Sequence, residues 1–125
     1  MYELTVSEWF AAAHHLVNFK GKCESLHGHN WKIEVTVRGE RLNQAGMLID
    51  FAELKTLLRQ ALTSLDHAFL NELEAFRDSS PSSENIARYV YDQISRELDR
   101  SGLKVVRVSA FESQNCQAAY LPHES

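Results

Sequence analysis

At 125 residues, with 17 acidic against 13 basic side chains and a net charge of -4, the chain has room for one core and lacks the positive field of a general nucleic-acid binder. No apolar run approaches the roughly 20 residues of a membrane-spanning helix. "MYELTVSEWF" has no basic segment followed by an apolar one, so no secretion signal is read. The expectation is a single domain, 1–125, in the cytoplasm.

"YELTVSEWFAAAHHL" opens with strand-like alternation, placing Leu4 and Val6 on one face and Trp9 near its end. From Asn30 to Arg38 the alternation is clear. Trp31, Ile33, Val35 and Val37 fall on one side, Lys32, Glu34, Thr36 and Arg38 on the other. Gly39 and "GERLNQAG" break the pattern. "DFAELKTLLRQALTSLDH" reads as a helix capped by Asp50, with Glu53 at the capping-box position. Its apolar stripe is Phe51, Leu54, Leu58, Ala61, Leu62 and Leu65. "RDSSPSSEN" is a loop leading to a second helix capped by Ser82 or Ser83. Ile86, Val90, Ile94 and Leu98 line one face of it, and Ser101 and Gly102 end it. "KVVRVSAFES" and "CQAAYL" suggest two closing strands. The order is ββααββ, which predicts an α+β fold: a four-stranded antiparallel sheet with two helices on one face. Its open edges invite pairing with other subunits.

The chemistry concentrates in "CESLHGHNW". Side chains two apart on a strand share a face, so His27 and His29 can hold one ion together. A catalytic zinc site takes three protein ligands and keeps a position open. An antiparallel return of the first strand brings His14 or His15 toward His27, and alternation alone does not choose between them. Nickel, cobalt or iron could use the same groups. Cys23 is a possible fourth ligand, or a base or nucleophile beside the metal, in a setting that favours the thiolate. In a reducing compartment a bond from Cys23 to Cys116 is not expected, and Cys116 reads as a small buried apolar residue. Asp66 and His67 are adjacent in "LDHAFLN"; they suit a carboxylate–imidazole relay, or Asp66 simply caps a turn. Glu112 in "AFESQNC" stands at a strand end, either solvated or functional.

Taken together, "FAAAHHL", "CESLHGHNW", "LIDFAELK", "LDHAFLN", "PSSENIA" and "FESQNCQAAY" resemble, in order, the 6-pyruvoyltetrahydropterin and 6-carboxytetrahydropterin synthase family. The resemblance implies zinc on His14, His27 and His29, with His15 a non-ligand. It also implies Cys23 as catalytic thiol, Asp66 and His67 as the proton relay, and Glu112 as the group that grips the pterin ring. The implied assembly is a tunnelling-fold (T-fold) subunit in an oligomeric barrel, a hexamer built from two trimers with sites between subunits. The spacing C-x-x-x-H-G-H resembles the bacterial 6-carboxytetrahydropterin synthases of the queuosine pathway. Their reaction converts 7,8-dihydroneopterin triphosphate to 6-carboxytetrahydropterin, acetaldehyde and triphosphate. Glu24, three residues before His27, also matches a folate-linked branch that cleaves the side chain to 6-hydroxymethyldihydropterin. A pyruvoyl synthase and a non-catalytic pterin- or metal-binding assembly are the remaining alternatives. Lys20, Lys22, His15 and Arg107 are candidates for the triphosphate.

Overall fold

A computed structural model describes residues 1–17, 25–98 and 102–123. Four strands, β1 (Tyr2–His14), β2 (His27–Gly39), β3 (Lys104–Ser113) and β4 (Cys116–Tyr120), form one antiparallel sheet in the order β1-β2-β3-β4. Between β2 and β3 lie the helices α1 (Phe51–Leu62) and α2 (Ser83–Glu97), joined through two one-turn 3-10 helices. This is the predicted ββααββ order. None of the described helices is long and apolar enough to cross a membrane.

Alternation explains how the layers stack. On β2, Trp31, Ile33, Val35 and Val37 are fully buried while the residues between them stay part-exposed. They pack with Val6 and Phe10 of β1 and Val108 and Ala110 of β3 against Leu54 and Leu58 of α1 and Ile86, Val90 and Ile94 of α2. One sheet face is thus covered by helices and the other is left open. α2 follows its predicted pattern closely, starting at the Ser82 cap, whose Oγ accepts from the Asn85 amide at 3.2 Å. Its stripe continues to Leu98, 1% exposed. It ends sooner than expected, at Glu97 with Leu98 as C-cap.

Three expectations need correction. α1 stops at Leu62, not near His67. Leu65 is nevertheless fully buried, carried into the core by the turn that follows. Phe51 is 58% exposed despite its place in the helical stripe, because it is the first residue of α1 and projects beyond the layer the helix covers. Cys116 is exposed, not buried, since it opens β4 at the sheet's edge directly after a turn.

Why α1 ends early bears on the site. β1 is an edge strand, and edge amides and carbonyls need partners. The segment after α1 supplies them. Asp66 Oδ1 accepts from the Ala11 amide at 3.0 Å, and the His67 amide donates to the Ala11 carbonyl at 2.6 Å. Next, the Ala13 amide donates to the Ala68 carbonyl at 3.0 Å, and Ala13 forms a parallel bridge with Phe69. Asn71 completes the cover, its side chain bonding both the amide and the carbonyl of His15 at 2.9 Å. To run along the strand the chain must turn at His67, which takes φ 59°. A left-handed residue cannot continue a right-handed helix.

Candidate active site

The β1–β2 register places His14 directly opposite His27, and Ala12 opposite His29. All three histidines therefore project to the helix-covered face, just beyond Trp31. Continuing the β2–β3 register one step past the Lys32–Phe111 pair brings Glu112 to the same corner. The ladder from β3 to β4 shifts between Phe111 and Ser113, so Glu112 stands at an irregularity in the sheet.

The imidazoles converge. His14 Nε2 is 3.0 Å from His27 Nε2, and Glu112 Oε1 is 2.9 Å from His29 Nε2 and 3.4 Å from His14 Nε2. The ligand atoms of the four residues all lie within 4.8 Å of one another. Two backbone carbonyls set the tautomers. Nδ1 of His14 donates to the Pro81 carbonyl at 2.7 Å, and Nδ1 of His27 donates to the Ser25 carbonyl at 2.9 Å. A carbonyl can only accept, so each Nδ1 carries a proton, which in a neutral imidazole leaves an Nε2 lone pair aimed at the other ring. Lone pairs so close repel unless positive charge sits among them. Ligands about 2.0–2.1 Å from a tetrahedral ion are themselves about 3.3 Å apart, close to the spacings seen here. The donor set fits a divalent metal.

Burial gives the site a closed back and an open front. His14 is 1% exposed, whereas the side chains of His29 and Glu112 are 27% and 37% exposed. Trp31 forms the floor, its ring edge-on to those of His14 and His29 at 4.8 and 5.1 Å between centroids. The carbonyls of Ser25 and Pro81, the Trp31 floor and the Asn71 clamp are parts that a search for reactive side chains overlooks. The signal was nonetheless present, since Pro81 and Asn71 lie inside the quoted blocks "PSSENIA" and "LDHAFLN".

Asp66 and His67 do touch. Asp66 Oδ2 is 3.1 Å from His67 Nδ1. The Ala11 amide holds the Asp66 carboxyl below the usual carboxylate range, against the opposing effect of burial, and His67 adds lesser lowering contributions. His67 itself is 83% exposed and lines an open groove of about 610 Å³ that also touches Ala11, Ala13, Gly28, Asn30, Phe69 and the site residue His29. Ala11, Ala13, Gly28 and Asn30 alternate away from the histidine face. The His67 side chain is not a member of the convergent group in its own chain.

The remaining predicted residues are dispersed. Arg107, paired with Thr36, lies on the face opposite the histidines and donates from Nε to Ser109 Oγ at 3.1 Å. The ring of His15 packs near Phe69, at 5.8 Å between centroids. Cys23, Glu24, Lys20 and Lys22 lie outside the described residues.

The lowered Asp66 pKa has a measurable consequence. A carboxyl whose folded-state pKa is depressed adds stability above its unfolded value, and that contribution is lost as pH falls through the folded one. Urea midpoints of the wild type should fall more steeply below about pH 4 than those of Asp66→Asn, in which this titration is absent. Parallel acid profiles for the two proteins would contradict the assignment.

The sequence model of the family described as 6-pyruvoyl tetrahydropterin synthase matches residues 3–123. A putative 6-carboxy-5,6,7,8-tetrahydropterin synthase of Archaeoglobus fulgidus is 36% identical over 110 residues, covering 88% of this chain and 87% of the relative. The 6-carboxy-5,6,7,8-tetrahydropterin synthase of Bacillus subtilis is 32% identical over 128 residues, covering 97% and 86%. Among solved structures, the 6-pyruvoyl tetrahydropterin synthase of Caenorhabditis elegans superposes with a TM-score of 0.83 at 26% identity, covering 98% of this chain and 96% of that one. With its sheet and helices in the same arrangement, the chain belongs to the 6-pyruvoyl tetrahydropterin synthase family.

Proposed function

We propose that the protein is a zinc-dependent 6-carboxy-5,6,7,8-tetrahydropterin synthase, a cytoplasmic lyase acting on 7,8-dihydroneopterin triphosphate in queuosine precursor synthesis. The observation that carries this reading is the convergence of His14, His27 and His29 on one point beside Glu112, with an open front. The C-x-x-x-H-G-H spacing and the names of the archaeal and bacterial relatives support the carboxy product.

A zinc ion on the three imidazoles supplies Lewis-acid polarisation of the substrate's side-chain oxygens. His14 and His27 are held ready for it by the Pro81 and Ser25 carbonyls, which fix ring orientation and raise ligand basicity. Glu112 accepts from the exocyclic amino group and adjacent N–H of the pterin ring, and ligands lacking those donors leave it unsatisfied. Cys23, as thiolate, takes and returns protons at the side-chain carbons. Asp66 orients His67, which moves protons as the double bonds redistribute.

The His67 side chain is exposed and stands outside the convergent group of its own chain, which supports a role on substrate held by the histidines of a neighbouring chain. The assembly that permits this is an oligomeric barrel, a hexamer of two stacked trimers. Tyr2 and Trp9 on one edge strand, and Leu121 beyond the other, are 50%, 59% and 57% exposed and provide apolar surface for such joins.

Glu24 beside Cys23 favours a second reading, cleavage to 6-hydroxymethyl-7,8-dihydropterin for folate synthesis. Incubating zinc-loaded protein with 7,8-dihydroneopterin triphosphate and identifying the pterin by mass spectrometry separates the two. A 6-carboxy product supports the first and a hydroxymethyl product the second, while no turnover leaves a binding protein. Cys23→Ala should retain its zinc while turnover falls by about 100-fold or more. Zinc loss matching that of a histidine variant would make Cys23 a ligand.

A further inference from the structure

Glu112 is asked to do one thing by the reading above and is placed to do another. As a pterin anchor, both its oxygens are engaged by the ring's amino group and N–H. Yet Oε1 lies 2.9 Å from His29 Nε2 and 3.4 Å from His14 Nε2, the spacing of ligands around one ion. A carboxylate cannot give the same oxygen fully to a metal and to the ring. We propose that Glu112 is a displaceable fourth metal ligand: it closes the coordination shell while the site is empty of pterin, and the arriving ring draws it off and opens the metal.

Three features fit that exchange. The Glu112 side chain is 37% exposed, so it can swing without leaving a buried hole. It springs from the point where the β3–β4 ladder shifts, and is not locked into a regular strand pair. Carboxylate oxygen is also an ordinary zinc ligand beside imidazole. The benefit is chemical: an ion closed by Glu112 does not act on water or on stray hydroxyls until a pterin is seated. Linkage adds a quantitative corollary. A pterin that takes Glu112 from the metal weakens metal binding, and the metal weakens binding of that pterin by the same factor.

The inference rests on the metal-and-pterin reading, so its test includes a ligand that isolates it. 6-Methyl-7,8-dihydropterin offers the ring donors to Glu112 but has no side-chain hydroxyl for the metal. In full-length protein without pterin, Glu112→Gln should lower zinc affinity by roughly tenfold or more, read by chelator competition. It should also change the visible spectrum of the cobalt(II)-loaded protein. Adding 6-methyl-7,8-dihydropterin to cobalt-loaded wild type should produce the same spectral change, and adding it to Glu112→Gln should produce none. Equal zinc affinity and identical cobalt spectra in wild type and variant would overturn the switch while leaving the histidine site and the pterin reading intact. Failure of the wild type to bind zinc, cobalt or the pterin would defeat the underlying reading, and the switch with it.

Discussion

His14→Ala should release the metal, whereas His15→Ala should not. His14 is the most buried of the three converging histidines, at 1% exposed, and its Nε2 lies within 3.4 Å of both His27 Nε2 and Glu112 Oε1. Losing it removes one of the three proposed ligands and leaves the Pro81 carbonyl without its 2.7 Å partner. The metal cost should be at least about 100-fold in affinity, judging by the 10–100-fold attached to residues that merely support a ligand. The orphaned carbonyl should add a stability cost of about 1–3 kcal/mol. Metal content after dialysis, chelator competition and thermal melts measure the two effects separately. His15 uses its backbone to bond Asn71 and turns its ring toward Phe69, so its alanine variant should keep its zinc. The reverse pattern would mean that the converging rings do not hold the ion.

Trp31→Ala should be the most destabilising single substitution in the sheet. The side chain is fully buried and stacks on Phe10 at 5.3 Å between centroids and 11° between planes. It also supports two site histidines edge-on. Truncating a buried tryptophan to alanine costs about 3–5 kcal/mol, which for a chain of this size lowers Tm by roughly 10–20 °C. Metal affinity should fall as well, because the rings of His14 and His29 lose the surface that holds them. Trp31→Phe should cost far less: the indole N–H has no hydrogen-bond partner among the described residues, so phenylalanine removes an unsatisfied donor along with some volume. Equal losses in the two variants would show that the ring's volume is not what matters.

Much of the architecture was legible because it follows from short-range periodicity. Period two from Asn30 to Arg38 marks β2, and the Ile86, Val90, Ile94 and Leu98 stripe marks α2, since in each case one face must be buried. The pair His27 and His29 is likewise local, because residues two apart on a strand point the same way. The end of α1 was not legible. From Thr63 to His67 the residues suit a helix well enough, but the unpaired amide and carbonyl of Ala11 draw Asp66 and His67 out of it. Phe51 and Cys116 are exposed for a related reason: an apolar residue at the margin of an element is buried only if another element reaches it.

The sequence by itself determined the element order, the buried faces and the kinds of ligand available, because these depend on spacing along one stretch of chain. The tertiary structure alone decided that His14 stands opposite His27, that Pro81 and Ser25 aim the imidazoles, and that Glu112 arrives at the same corner from β3. Those facts depend on strand register and on loops distant in sequence, and no local pattern encodes where two remote backbones will meet.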